Sequence, residues 1–247
     1  MQITVATWNI AGGRPMRSGE VFDYEKEDIN YFTAQLKSLD SDIICLQENH
    51  SNDERSVAKK ISEQLGNYSC FEQVLSPSHV DREYNLGNTV LSKQKPSHEE
   101  NILFPYPSFP LYLPGNKPAV RHDKGFQVVQ FDNTRVINLQ MLPLRFLGTA
   151  YDTPQGEGFA LEMEMAIKPH VASPSLLCGD FNVENANELY RNIIQKFSMK
   201  DALPGVATRP NNKQSDYIFY STELRCEDAG VIKTNTDHYL CWARFSI

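Results

Sequence analysis

Five short strings in this chain carry side chains able to act on a phosphate: Thr7-Trp8-Asn9, Leu46-Gln47-Glu48, Gly179-Asp180-Phe181-Asn182, Ser215-Asp216-Tyr217-Ile218 and Thr236-Asp237-His238-Tyr239. Each ends, or lies within, a short apolar run of strand type. The candidates are Asn9, Glu48, Asp180, Asn182, Asp216, Asp237 and His238, with no cysteine among them. Carboxylate and amide oxygens suit a hard divalent cation, Mg²⁺ or Mn²⁺, better than zinc. Amides donate to non-bridging phosphate oxygens, and an imidazole with a carboxylate behind it is held in one tautomer and favoured as the cation. Asp216, at the head of one strand, is the expected partner of His238, at the head of another.

Asp180 and Asn182 stand two residues apart, so in extended chain both point to one side, and Gly179 permits close backbone approach. Together they can hold a water and a phosphate oxygen. The competing reading is an Asx turn ahead of a helix. The other five histidines, 50, 79, 98, 122 and 170, fall mostly in polar stretches and are expected at the surface. Arg121 and His122 are partial exceptions. They lead into a strand whose hairpin partner runs to Gln140, so one of them could reach the site. The charged run 53–60 reads as the wet face of a helix.

The elements that must position these residues alternate along the chain. A strand at 3–9 is followed by a helix over about 23–39, with Ile29, Phe32, Leu36 and Leu39 at helical spacing and acids toward its start. A buried-type strand at 42–48 precedes a helix whose Val57, Ile61 and Leu65 share a face, ended by Gly66-Asn67. Two strands lie within 68–92, the second containing Asn88. The stretch 96–118 has six prolines among Phe104, Tyr106, Phe109 and Tyr112 and reads as an ordered loop. Strands at 125–131 and 135–141 are joined by an Asp132-Asn133 turn, helices are expected near 157–168 and 186–197, and strands at 175–179, 216–220 and 239–245 complete the pattern. One domain, 1–247, is expected.

Composition sets outer limits. The chain has 247 residues, 40% hydrophobic and 22% charged, ordinary for a globular protein. A net charge of −7 argues against broad charge-driven adhesion to nucleic acid or anionic membrane, though not against one local basic groove. No targeting segment and no membrane span is visible, and five scattered cysteines point to a reducing, cytoplasmic compartment.

Taken in order, the strings TWN, LQE, GNTVLS, GDFN, SDYI and TDH resemble the endonuclease/exonuclease/phosphatase (DNase I-like) family, over about Ile3 to Phe245. The resemblance implies an α/β fold, a four-layer α/β/β/α sandwich of two mixed sheets with helices outside, and a metal-dependent phosphoric ester hydrolase. It implies Glu48 as the principal Mg²⁺ ligand, with Asn9 and Asp237 in the metal region. Asp180 would position or deprotonate the attacking water, Asn182 would bind phosphate, and His238, oriented by Asp216, would help transfer protons. Asn88 would support the site from behind. Many members carry an Asn-x-His pattern whose His donates to phosphate. Here the string is Asn138-Leu139-Gln140, and Gln can donate but cannot shuttle a proton. Gln140 is therefore either a native substitute at the phosphate or a silencing change. The expected activity is a nuclease or DNA-end-processing phosphodiesterase acting as a monomer. A small-molecule or lipid phosphoesterase, or a catalytically silent binding module, is the alternative.

Overall fold

The computed structural model describes residues 2–17, 23–132 and 134–246. Its elements run β1 (Gln2–Asn9), α1 (Ile29–Leu39), β2 (Ile43–Ser51), α2 (Val57–Leu65), β3 (Ser69–Pro77), β4 (Asn85–Ser92) and β5 (His98–Leu103). A short hairpin, β6 (Tyr112–Leu113) and β7 (Lys117–Pro118), precedes β8 (Gly125–Phe131), β9 (Thr134–Gln140) and α3 (Pro154–Ile167). The chain continues through β10 (Ser175–Asp180), α4 (Ala186–Leu189), α5 (Arg191–Lys196), β11 (Met199–Asp201), β12 (Asp216–Ser221), β13 (Arg225–Ile232) and β14 (Leu240–Ser246).

Two six-stranded sheets result, ordered β13-β14-β1-β2-β4-β3 and β11-β12-β10-β9-β8-β5. Each is mixed, with one parallel pair, β1–β2 in the first and β9–β10 in the second. Side-chain alternation sorts the core into three apolar layers. Ala6, Trp8, Ile44 and Leu46 face α1 and α2 outside the first sheet. Ile137, Leu139, Leu177 and Phe219 face α3, α4 and α5 outside the second. Val5, Cys45, Val136, Leu176, Cys178 and Ile218 meet between the sheets. No helix among the described residues is long and apolar enough to cross a membrane.

Several expectations need correction. The first helix begins at Ile29 rather than near Asp23, because Asp28 caps it by accepting from Tyr31 N (3.0 Å). The acids ahead of it sit in a loop, where Asp23 and Glu25 pair with Arg17 and Glu27 with Arg55. After Gln2, β1 is buried throughout, since helices cover one face and the second sheet the other. The proline-rich stretch contains the edge strand β5, paired antiparallel to β8. The helix expected over 186–197 is interrupted at Tyr190, and β13 was not anticipated. In the expected Asp132-Asn133 turn, Asn133 lies outside the described residues.

Candidate active site

Strand phase explains which residues gather. Ile3, Val5, Thr7 and Asn9 continue one face of β1, and Leu176, Cys178 and Asp180 one face of β10. Val136, Asn138 and Gln140 do the same in β9, and Ile218 and Asp216 in β12. In each case this face looks into the space between the sheets. That space is apolar at one end and becomes polar toward the strand ends that carry the candidates. Halfway, a hydrogen-bonded belt joins the sheets. Gln47 Nε2 donates to Asn138 Oδ1 (2.7 Å) and Thr7 Oγ1 (3.0 Å), and Asn138 Nδ2 donates to the carbonyls of Leu46 (3.1 Å) and Thr89 (3.2 Å). Beyond the belt lies a cavity of about 520 Å³, whose lining includes Glu48, Lys124, Asp180, Asn182, Asp237 and His238.

Glu48 reaches this cavity through a backbone irregularity. Its phase on β2 should send it outward, but the β2–β4 register shifts between Leu46 and Asn49 and Glu48 itself has φ of 55°. The side chain thus meets Gln140, whose Nε2 donates to Glu48 Oε1 (2.6 Å). Burial opposes ionisation of Glu48, yet Lys124, His79 and the Gln140 bond outweigh it and hold its pKa down at about 2. Gly179 has φ of 140°, and a Cβ there would lie 2.0 Å from the Leu139 carbonyl oxygen, so only glycine lets β10 pass β9 this closely.

His238 is the most tightly held of the group. Its Nδ1 lies 3.0 and 2.9 Å from the two Asp216 oxygens, and Thr208 Oγ1 (2.8 Å) and Ser215 Oγ (3.1 Å) donate to Asp216 Oδ2. Trp8 Nε1 anchors the segment by donating to His238 O (2.9 Å). Nε2 is turned toward the cavity, 3.8 Å from Asp180 Oδ2 and 3.9 Å from Asp237 Oδ2. Burial alone would discharge this imidazole, but Asp216 and Asp180 raise its pKa to about 9. Burial, with Asp216 adding to it, pushes the Asp180 carboxyl above the ordinary range against the pull of His238.

Asn9 Nδ2 donates to Asp180 Oδ2 (3.1 Å), and its Oδ1 accepts from Ala11 N (3.1 Å). Asp180 and Asn182 form the Asx turn, Asn182 N to Asp180 Oδ1 (2.9 Å), and both also line the cavity. Asn182 Nδ2 is directed at Met141 O (2.9 Å) and Asp180 Oδ2 (3.2 Å), so its amide hydrogens face protein acceptors rather than open space. Asn88 joins Gln73 and the Gly125 carbonyl (2.9 Å), bracing the start of β8 next to Lys124. Arg121 does not line the cavity. It is exposed, paired with Asp123 (2.7 Å) and placed over the Tyr106 ring, in the irregular segment that leads into β8. Gln140 also departs from expectation: its donor meets Glu48 and its oxygen accepts from Lys124 Nζ (2.6 Å).

Lys124, Thr208, Arg209, Tyr24 and His79 are the residues of this site that motif reading missed. Arg209 Nη2 lies 3.6 Å from Asp237 Oδ2, and Tyr24 OH donates to the same oxygen (3.4 Å). Only Lys124 had a legible signal, a lysine at the threshold of a buried-type strand. Of the histidines, His79 and His98 are exposed as expected, His79 also lining the cavity; His122 lines it too, as one of Arg121 and His122 could, and His50 is buried against expectation.

The residues present fit a hard cation. Asp180, Asp216 and His238 place ligand atoms within 4.8 Å of one another, but Asp216 is already engaged by His238, Thr208 and Ser215. The better place is nearer Glu48 and Asp237, where Asp237 Oδ1 is buried with no hydrogen-bond partner among the described residues.

Residues 6–238 match the model of the endonuclease/exonuclease/phosphatase family. No curated protein matches the chain. Among solved structures, an endonuclease/exonuclease/phosphatase from Beutenbergia cavernae shares the fold at a TM-score of 0.75 and 16% identity, over 100% of this chain and 72% of that one. An AP endonuclease from Archaeoglobus fulgidus gives 0.67 and 15%, over 99% of this chain and 100% of that one. A mannosyl-6-phosphatase from Bacteroides thetaiotaomicron gives 0.65 and 15%, again over 99% and 100%. With the sandwich and the site at its open end, this chain belongs to the endonuclease/exonuclease/phosphatase family of metal-dependent phosphoric ester hydrolases.

Proposed function

We propose that the protein hydrolyses a phosphodiester by in-line attack of water, with Mg²⁺ as its ion and a nucleic acid, most directly a DNA end, as substrate. The observation that carries this reading is His238, fixed through Nδ1 on Asp216 while Nε2 faces the cavity between Asp180 and Asp237. Glu48, Asp237 and the Asn9 carbonyl oxygen would hold the ion, which when bound neutralises charge on the phosphate and the leaving oxygen. Asp180 takes the proton of the attacking water, a task its raised pKa suits. Asn182 and Asn9 keep that carboxylate in place through their bonds to Oδ2. His238 donates from Nε2 to a phosphate oxygen. A cavity of about 520 Å³ admits one nucleotide-sized group, which favours an end over the interior of a duplex. Both sheets contribute to this site, so the reading takes 1–247 as one catalytic domain, working as a monomer. Five unpaired cysteines support a reducing, cytoplasmic setting.

A second reading, a small phosphoester with an apolar substituent, draws on the cavity wall of Val80, Leu113, Leu142, Pro143 and Leu147 and on the net charge of −7. A silent binding module has the least support, since it would not need a paired Asp216–His238 beside Glu48. Hydrolysis of plasmid, single-stranded and abasic DNA, RNA, inositol phosphates and sphingomyelin with Mg²⁺ separates the readings. We expect DNA ends to be cut fastest, and activity to vanish in EDTA and in Glu48→Gln. Full activity in excess EDTA would falsify the metal assignment, and turnover of the small esters alone would replace the first reading with the second.

A further inference from the structure

Lys124 is 9% exposed, and its ammonium has no carboxylate within 4.0 Å among the described residues. Lys59, Lys93 and Lys213, all more exposed, each have one. The other cations around the cavity are also matched, His238 by Asp216 and Arg209 by Asp237. Glu48 and Asp180 act on this ammonium from beyond 4.0 Å, and a buried ammonium beside a cavity with no carboxylate in contact has room for an anion that arrives from outside. One N–H of Lys124 is accounted for, by Gln140 Oε1 at 2.6 Å, and an ammonium has three. Gln140 is itself fixed at both ends, accepting from Lys124 and donating to Glu48 Oε1, so the lysine is aimed rather than loose. Glu48, Asp180, Asn182 and His238 line the same cavity, and Gln140 is paired in register with Asp180 on one side and with Gly125, next to Lys124, on the other.

We propose that Lys124 binds a non-bridging oxygen of the substrate phosphate, with Gln140 as its positioning residue. The inference rests on the phosphoester reading above and supplies the charge that the neutral amides do not, Asn182 donating to Met141 O and Asp180 Oδ2 and Gln140 to Glu48 Oε1.

The test uses Mn²⁺ alone and inorganic phosphate as probes, with thermal unfolding as the check on folding. In Lys124→Met, Mn²⁺ affinity by electron paramagnetic resonance should be unchanged or tighter, because a positive neighbour is gone. Phosphate affinity at saturating Mn²⁺, by calorimetry, should fall about 10- to 100-fold, the worth of a charge-assisted hydrogen bond. Lys124→Arg should restore part of it, and Gln140→Met should weaken phosphate less than Lys124→Met does. Lys124→Gln serves where the Met variant does not fold. Parental phosphate affinity in a folded Lys124 variant overturns the proposal. So does loss of Mn²⁺ and phosphate together, which would make Lys124 a prop for Glu48. If the parent hydrolyses no phosphoester yet loses phosphate with Lys124, the phosphoester reading fails and the anion site stands.

Discussion

Two histidines are buried to nearly the same depth, His50 at 1% and His238 at 3% exposure, and their surroundings drive them in opposite directions. His50 sits under the 78–84 loop, its Nε2 paired with Ser78 Oγ (2.7 Å) and its ring stacked on Tyr84 at 5.3 Å. Its other face lies against Gly12, where a Cβ would come within 2.3 Å of the ring, and its Nδ1 has no partner among the described residues. Burial, with Arg14 adding, lowers its pKa to about 4. At His238 a carboxylate occupies the Nδ1 position, and the pKa rises to about 9. Burial does not make a proton-transfer group. The partner behind the ring does.

The largest effects should come from removing that partner. Asp216→Ala and His238→Ala are each expected to lower kcat by about 10²–10⁴, the range for a positioned acid–base group, while His50→Gln leaves kcat near the parent value. Because Asp216 acts through His238, the double variant should lose little more than either single one. A double loss equal to the product of the single losses would show that the two act independently.

Stability against pH sharpens the contrast. For His50 the folded pKa lies below the ordinary 6.5, so its contribution is present above pH 6.5 and is lost as pH falls toward about 4. The full swing is on the order of 3 kcal/mol. For His238 the folded pKa lies above 6.5, so its contribution is complete below that pH and is lost as pH rises through about 9. Urea titrations in EDTA should show His50→Gln flattening the acidic limb and His238→Gln the alkaline one. A variant that flattened the opposite limb would overturn the pKa direction assigned to that histidine.

The smallest effect concerns Ser78, whose Oγ also accepts from Val80 N (3.0 Å) and Asp81 N (3.1 Å). Ser78→Ala should cost about 1–3 kcal/mol of unfolding free energy, the penalty for buried groups left unpaired. The alkaline limb set by His238 should not move. A shift there would mean that the two regions are coupled.

The sandwich was implied by the family resemblance, whereas most of the residues that gather at the cavity were legible for one physical reason. Asn9, Asp180, Asp216 and His238 stand at the ends of continuous apolar runs, where strand phase and burial leave a strong mark. Glu48 also stood in such a run, though the bulge that turns it inward left none. Thr208 and Arg209 escaped because they lie in a loop, where no periodicity marks them, and Lys124 was passed over although its place at the threshold of a buried-type strand was legible. His50 was placed at the surface from its polar neighbours. Its burial depends on Gly12 and the 78–84 loop, contacts distant in sequence. Arg121 and Lys124 are three residues apart, and only the path of the irregular segment between them decides which reaches the cavity.

The belt at Asn138 has a mechanical consequence. One amide group touches β2 and β4 of the opposite sheet and, through Gln127 Oε1 (3.2 Å), the neighbouring strand β8 of its own. It works as a gauge block that sets the gap between the half of the site carrying Glu48 and the half carrying Asp180. Asn138→Leu would fill the same volume yet leave that gap ungauged. Every reactive group would be intact, and their spacing would no longer be held to the fraction of an ångström that in-line chemistry demands.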